Sequence, residues 1–128
     1  MVVRIVRLGS ARSEDEGIRI GTVRRPPRGV PKTEFASANW YDVWFPNLAP
    51  SVETMKLGQE AMTPTQWAAF IRKYRAEMSA PETSRTIGLL AVLSRHSNFS
   101  VGCYCEDESH CHRSVLRALL AEKGAQVR

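Results

Sequence analysis

Between Cys103 and His112 the chain holds all three of its cysteines and two of its three histidines, in the string CYCEDESHCH, and Arg113 comes next. Thiol and imidazole side chains are suited to nucleophilic attack, proton transfer and the binding of borderline metal ions. One reading takes Cys105, Cys111 and His112, with Cys103 or His110, as four ligands of the kind zinc accepts. The spacing C-x-C-x5-C-H lacks the paired C-x2-C knuckles of the strongest zinc motifs, so it leaves other readings open.

A second reading comes from the residues on the C-terminal side. Residues Cys111 to Lys123 place Val115, Leu116, Leu119 and Leu120 on one face and end before Gly124, which predicts a helix. Cys111, His112 and Arg113 then stand in its first turn. Free backbone N–H groups and the positive end of the helix dipole attract anions there and lower the pKa of a thiol. Arg113 adds a forked donor that matches phosphate or carboxylate. On this reading Arg113 and the amides hold an anion, Cys111 is a nucleophile or redox thiol, and His112 is a base. A histidine on an apolar face also suits a hydrogen-bonded core position, Glu106 to Glu108 suits a solvated loop, and Arg117 suits an exposed surface.

These residues need a scaffold. Phe99 to Cys105 reads as a short buried strand in which Cys103 and Cys105 share one face. Cys105 then lies at the carboxyl end, where open α/β sheets bind their ligands, and Cys103 one step deeper, as packing. Val2 to Leu8 has a period near two and reads as the first strand, and Ile18 to Val23 as the second. Prolines 26, 27 and 31 with Gly29 exclude a regular element from RRPPRGVPK. Residues 33 to 50 carry two of the three tryptophans and read as an irregular segment or short strand cladding the core.

Ser51 starts a short helix through Met55. Thr63 to Met78 is a longer one, capped by Thr63, with Pro64 in the first position and Trp67, Phe70, Ile71, Tyr74 and Met78 at helical spacing. Thr83 to Arg95 is another, built on Ile87, Leu90 and Ala91. Residues 125 to 128 form a last short strand or a frayed tail. Strands alternating with helices predict a single compact α/β domain over 1 to 128, with a mostly parallel sheet flanked by helices in Rossmann-like layers.

The bulk composition fits. The chain has 128 residues, 43% hydrophobic and 24% charged, enough for one buried core and unlike a disordered segment. A net charge of +5 favours anionic partners, and the basic residues gather in RIVRLGSAR and TVRRPPRGVPK. A small anionic ligand is the expected partner. Nucleic acid is the rival, held by the early basic turn with Trp40 and Trp44 as stacking surfaces, although no recognition-helix or RNA-binding signature accompanies it. No apolar run approaches the roughly 18 residues of a membrane span, and MVVRIVRLGS alternates apolar and basic residues where a signal peptide would be apolar. A cytoplasmic protein with no membrane partner is expected. Three clustered cysteines, an odd number, do not make a secreted disulfide framework.

Two separated stretches resemble a known family. EGIRIGTVRRPPRGVPKTEF, with WYDVWFPNLAPS after it, is similar to the segment DG-x-R-V-L-V-D-R-x-x-P-R-G-x-x-K of the YeaO-like proteins, bacterial chains classed in domain-of-unknown-function family 488 (DUF488). CYCEDESHCHRSVLRALL resembles that family's ending C-x-E-x-x-x-x-C-H-R-x-x-L. Arg24-Arg25 stands where the family has Asp-Arg, and a proline where a tryptophan usually precedes Pro-Arg-Gly. The resemblance implies a compact α/β fold and a site shared between the arginine-rich turn and the Cys-His-Arg helix mouth. Its matching positions are Arg19, Arg25, Arg28, Cys105, Cys111, His112 and Arg113. It names no reaction.

Overall fold

The computed structural model describes residues 1–128. Four strands, β1 (Val3–Arg7), β2 (Ile18–Gly21), β3 (Val43–Trp44) and β4 (Phe99–Cys103), lie in the order β1-β4-β2-β3, and every pairing is parallel. Four α-helices accompany them: α1 (Val52–Glu60), α2 (Pro64–Met78), α3 (Pro81–Leu93) and α4 (His112–Glu122). None is long and apolar enough to cross a membrane. β4, the last strand in sequence, enters between β1 and β2 and is buried along its whole length.

Alternation within the strands sorts the two faces of the sheet. Val3 and Ile5 of β1 and Phe99 and Val101 of β4 meet Phe70, Tyr74 and Met78 of α2, Ile87 and Leu90 of α3, and Val115, Leu116 and Leu120 of α4 in one apolar core. The opposite face carries Arg4, Arg19 and Ser100, which the register sets side by side. Helices therefore cover one face only, and the Rossmann-like layering is halved. The connections from β1 to β2 and from β2 to β3 contain no α-helix, so they cover the second face with loops and a short 3-10 turn.

That face is closed by a buried ion pair. Arg19 is fully buried and Glu16 is 2% exposed. Nε and Nη2 of Arg19 donate to the two carboxylate oxygens of Glu16 at 2.7 and 2.9 Å, and its Nη1 donates to the carbonyls of Ser10 and Asn39 at 2.9 and 2.8 Å. The hydroxyl of Ser100 donates to the same carboxylate at 2.7 Å. Burial alone would raise the pKa of Glu16, but the hydrogen bonds from Arg19 and Ser100 outweigh it and hold the carboxyl at about 2. The expected role of Arg19 as a ligand-binding residue is corrected here: its anion is internal.

Element boundaries obey local chemistry. α2 begins with the capping box of Thr63 and Gln66 and with Pro64 in its first turn. α1 continues to Glu60, beyond the expected stop at Met55. The side chain of Ser51 caps Thr54 N, and Glu77 of α2 accepts from the Ser51 amide and from the Ser51 and Thr54 hydroxyls. The segment 33 to 50 is largely irregular, with short 3-10 turns at Lys32–Glu34 and Pro46–Leu48 and β3 between them. Val127 forms an isolated parallel bridge with Val3, so the last residues pair with β1.

Gly102 of β4 stands opposite Val6 of β1. A Cβ there would lie 2.6 Å from the carbonyl oxygen of Val6 and 2.9 Å from Leu8 Cδ2. Replacing Gly102 with Ala is expected to cost about 1–3 kcal/mol through this overlap. A lower urea midpoint with an unchanged m-value would show it.

Candidate functional site

The carboxyl ends of β1, β2 and β4 open onto a cavity of about 1000 Å³, the place where open parallel sheets bind ligands. Its rim comes from the chain just after each strand: Arg7 to Ser10, Val23 to Arg28, and Cys103 to Cys105. α1 and α2 supply the far wall through Met55, Gly58, Trp67 and Phe70.

Four arginines, Arg7, Arg24, Arg25 and Arg28, line this cleft, and no aspartate or glutamate does. Two of them are engaged. Arg24 donates through Nε and Nη2 to the carbonyl of Pro50 at 3.2 and 3.0 Å, and through Nη2 to that of Ala49 at 3.1 Å, which fastens the turn after β2 to the start of α1. Arg7 forms a loose ion pair of 3.5 Å with the exposed Glu106. Arg25 and Arg28 are exposed and carry no carboxylate partner. Prolines 26 and 27 stiffen the turn that presents them, and Tyr104 Oη holds it in place by donating to the Arg25 carbonyl at 2.8 Å.

The remaining walls are aromatic. Trp40 meets Tyr104 edge to face at 5.8 Å, and Trp67 stacks on Phe70 at 4.6 Å. Trp44 stays outside, its indole N–H donating to the Val23 carbonyl at 2.8 Å. The structure does not bring Trp40 and Trp44 together into one stacking surface.

The floor is made by Cys103, Cys111 and His112. Cys111 occupies the N-cap position of α4 and makes no side-chain cap bond. It and Cys103 are each 2% exposed, with their sulfurs at disulfide distance and their Cα atoms 8.0 Å apart. His112 Nε2 lies 2.8 Å from the Thr22 carbonyl, so this nitrogen carries the proton and donates it. Nδ1 is left with its lone pair, 3.9 Å from Cys111 Sγ. Burial pushes the His112 imidazole down to about 4 against the opposing pull of the Thr22 bond, and the ring is neutral.

Two expected site residues, Cys105 and His110, line the cleft but stand apart from its floor. β4 ends at Cys103, two residues before the expected stop, and alternation breaks before Cys105, which is exposed. His110 is exposed in a 3-10 turn, 3.4 Å from Asp107. The expected ligand set of Cys105, Cys111, His112 and His110 is corrected accordingly. Cys103, read as packing or as one choice of fourth ligand, joins Cys111 and His112 in one group whose donor atoms all lie within 4.8 Å, and Cys105 and His110 do not. Parity puts both cysteines on one face, so only the strand's length decides between them: with β4 two residues shorter, Cys103 is the side chain that meets the helix mouth.

Arg113 is 3% exposed and is absent from the cleft wall. Its Nη2 donates to the Cys105 carbonyl, its Nε has no partner, and burial holds its guanidinium below the ordinary arginine range. It pins the turn after β4 from behind, which corrects its reading as the anion-holding group. Arg117, read as free surface, reaches back to Glu108 at 2.7 and 3.1 Å and anchors the same turn. Arg113→Met keeps the buried volume and removes the charge. Phosphate-induced thermal stabilisation in this variant is expected to stay within about twofold of the parent in apparent affinity, since a tenfold change needs about 1.4 kcal/mol of contact with the ligand; its loss would return Arg113 to the site.

Comparison with curated proteins and with solved structures finds no match. A protein-family model does match, the one described as the active DUF488-N3 subclade, over residues 3–124. With residues 3–124 covered, nearly the whole chain, the protein belongs to the DUF488 family.

Proposed function

We propose that the cleft binds a phosphate-bearing ligand of nucleotide size and presents it to the Cys–His floor. The observation that carries this reading is the four arginines around one cavity without a single carboxylate. Arg25 and Arg28 hold the phosphate, as forked donors with no internal partner. The planar or apolar part of the ligand lies against Trp40, Tyr104 and Trp67, as aromatic walls suit a flat ring. In the reduced protein a reacting group then faces Cys111, whose sulfur lies 3.9 Å from the free Nδ1 of His112, so that thiol and imidazole stand as nucleophile and base. The description of the matching family model as an active subclade agrees with a floor equipped for chemistry.

The test is thermal stabilisation of the reduced protein by inorganic phosphate, mononucleotides and short oligonucleotides. Saturable shifts with phosphate and mononucleotides are expected. Shifts with oligonucleotides alone, falling steeply with salt, would replace this reading with nucleic-acid binding on the basic rim.

A further inference from the structure

We propose that Cys103, Cys111 and His112 form a three-ligand metal centre, of the kind zinc adopts, whose open coordination position faces the arginine-lined cleft. Two thiolates and one imidazole are a set that zinc accepts with a fourth position left for water or substrate. Their donor atoms already lie within 4.8 Å of one another, and all three residues line the cavity.

The histidine is set for this task. A metal-bound imidazole usually donates its other N–H to a carbonyl or carboxylate, which fixes tautomer and ring orientation. His112 does so through Nε2 to the Thr22 carbonyl at 2.8 Å, and turns Nδ1 toward the sulfurs. Thr22 belongs to the chain leaving β2, which pairs with β4, so the ring is oriented by the sheet.

The backbone spacing of the cysteines points the same way. Their Cα atoms are 8.0 Å apart, beyond the ~7 Å that a disulfide bridges without backbone movement. A metal at about 2.3 Å from each sulfur holds the two thiolates apart, so the closely set pair must first be reduced and opened, after which the wide backbone spacing suits it. No fourth Cys, His, Asp or Glu joins the group. Binding forms two sulfur–metal bonds and one nitrogen–metal bond, releases the two thiol protons to solvent and transfers no electron. The two thiolates neutralise a divalent ion, so the charge that attracts an anion remains that of the arginines. With metal bound, Cys111 and His112 act as ligands, and the open position meets the bound molecule in place of the thiol. The centre stands on the geometry of the cluster, and only its use on a ligand rests on the anion reading.

Cobalt(II) added to the reduced, chelator-treated full-length protein tests this. The expected spectrum has thiolate-to-cobalt charge transfer in the near ultraviolet and intense visible bands of a tetrahedral site, bleached by a stoichiometric equivalent of zinc. Cys103→Ser, Cys111→Ser and His112→Asn should each remove or strongly shift these bands, whereas Cys105→Ser, His110→Ala and Arg25→Ala keep them. Absence of the bands from the parent protein overturns the proposal whatever the variants do. Bands that survive Cys103→Ser, or vanish with Cys105→Ser, overturn the assigned ligands. Reduction that adds the mass of two hydrogens to the untreated protein, with no cobalt uptake afterwards, would make the pair a disulfide. Because Arg25→Ala removes a phosphate contact and leaves the cobalt spectrum intact, failure of the anion reading and failure of the metal centre are told apart.

Discussion

Replacing Glu16 with Ala is expected to lower the unfolding free energy by about 3–5 kcal/mol, the usual cost of breaking a buried ion pair from one side. The loss is large because Arg19 stays behind. Its guanidinium is fully buried and keeps only the Ser10 and Asn39 carbonyls as acceptors, while the Ser100 hydroxyl loses its acceptor altogether. Urea denaturation measures the effect directly, and a loss below about 1 kcal/mol would place this pair with weak surface bridges. The same carboxylate sets a pH dependence. Its pKa falls from 4.5 to about 2 on folding, so the folded protein binds fewer protons than the unfolded chain across that interval. The stability it contributes is complete above pH 4.5 and is lost as the pH falls through about 2. Glu16→Gln should flatten the parent's acid limb by this amount, leaving the share that belongs to the other carboxyls held below their ordinary range, Asp42 and Glu77 among them, and to the buried His112, whose imidazole is pushed down to about 4.

The double variant Arg25→Ala, Arg28→Ala is expected to weaken phosphate binding by roughly 10²- to 10⁴-fold, taking about 1.5–3 kcal/mol for each charge-assisted hydrogen bond. Stability without ligand should move by less than about 0.5 kcal/mol, because both side chains are exposed and unpaired. The bond from Tyr104 goes to the Arg25 carbonyl, so the turn keeps its shape when the side chain is removed. Thermal shifts against a phosphate concentration series separate the two quantities. An unchanged apparent affinity would mean that the anion is held elsewhere.

How much of the fold and the site was legible in the residues varies with how local the signal was. α2 announces itself through Thr63, Pro64 and a five-residue apolar stripe, because caps and periodicity act within a few positions. The parallel sheet and the approach of the helix mouth to the strand ends also come from pattern. The one-sided helical layer does not, since both faces of β4 are buried and its sequence does not say by what. Arg19 illustrates a second limit. An arginine in a strand reads the same whether it meets a ligand or a neighbour, and its partner Glu16 lies outside both strands, in the polar run SEDEG between them. The error at Cys103 and Cys105 came from strand length: two residues fewer at the end of β4 exchange the roles of the two cysteines.

The position of β4 bears on how the molecule comes into being. β1 and β2 do not touch in the sheet; each depends on the strand that begins at Phe99 to join it to the other. The contacts Val3↔Phe99 and Ile18↔Phe99 close very long chain segments, which slows folding and leaves β1 unjoined to the short β2–β3 pair until the last quarter has been synthesised. The cleft is built from the ends of these same three strands. It therefore arises in the step that completes the fold, and a nascent or partly folded chain has no weaker version of it to offer a ligand.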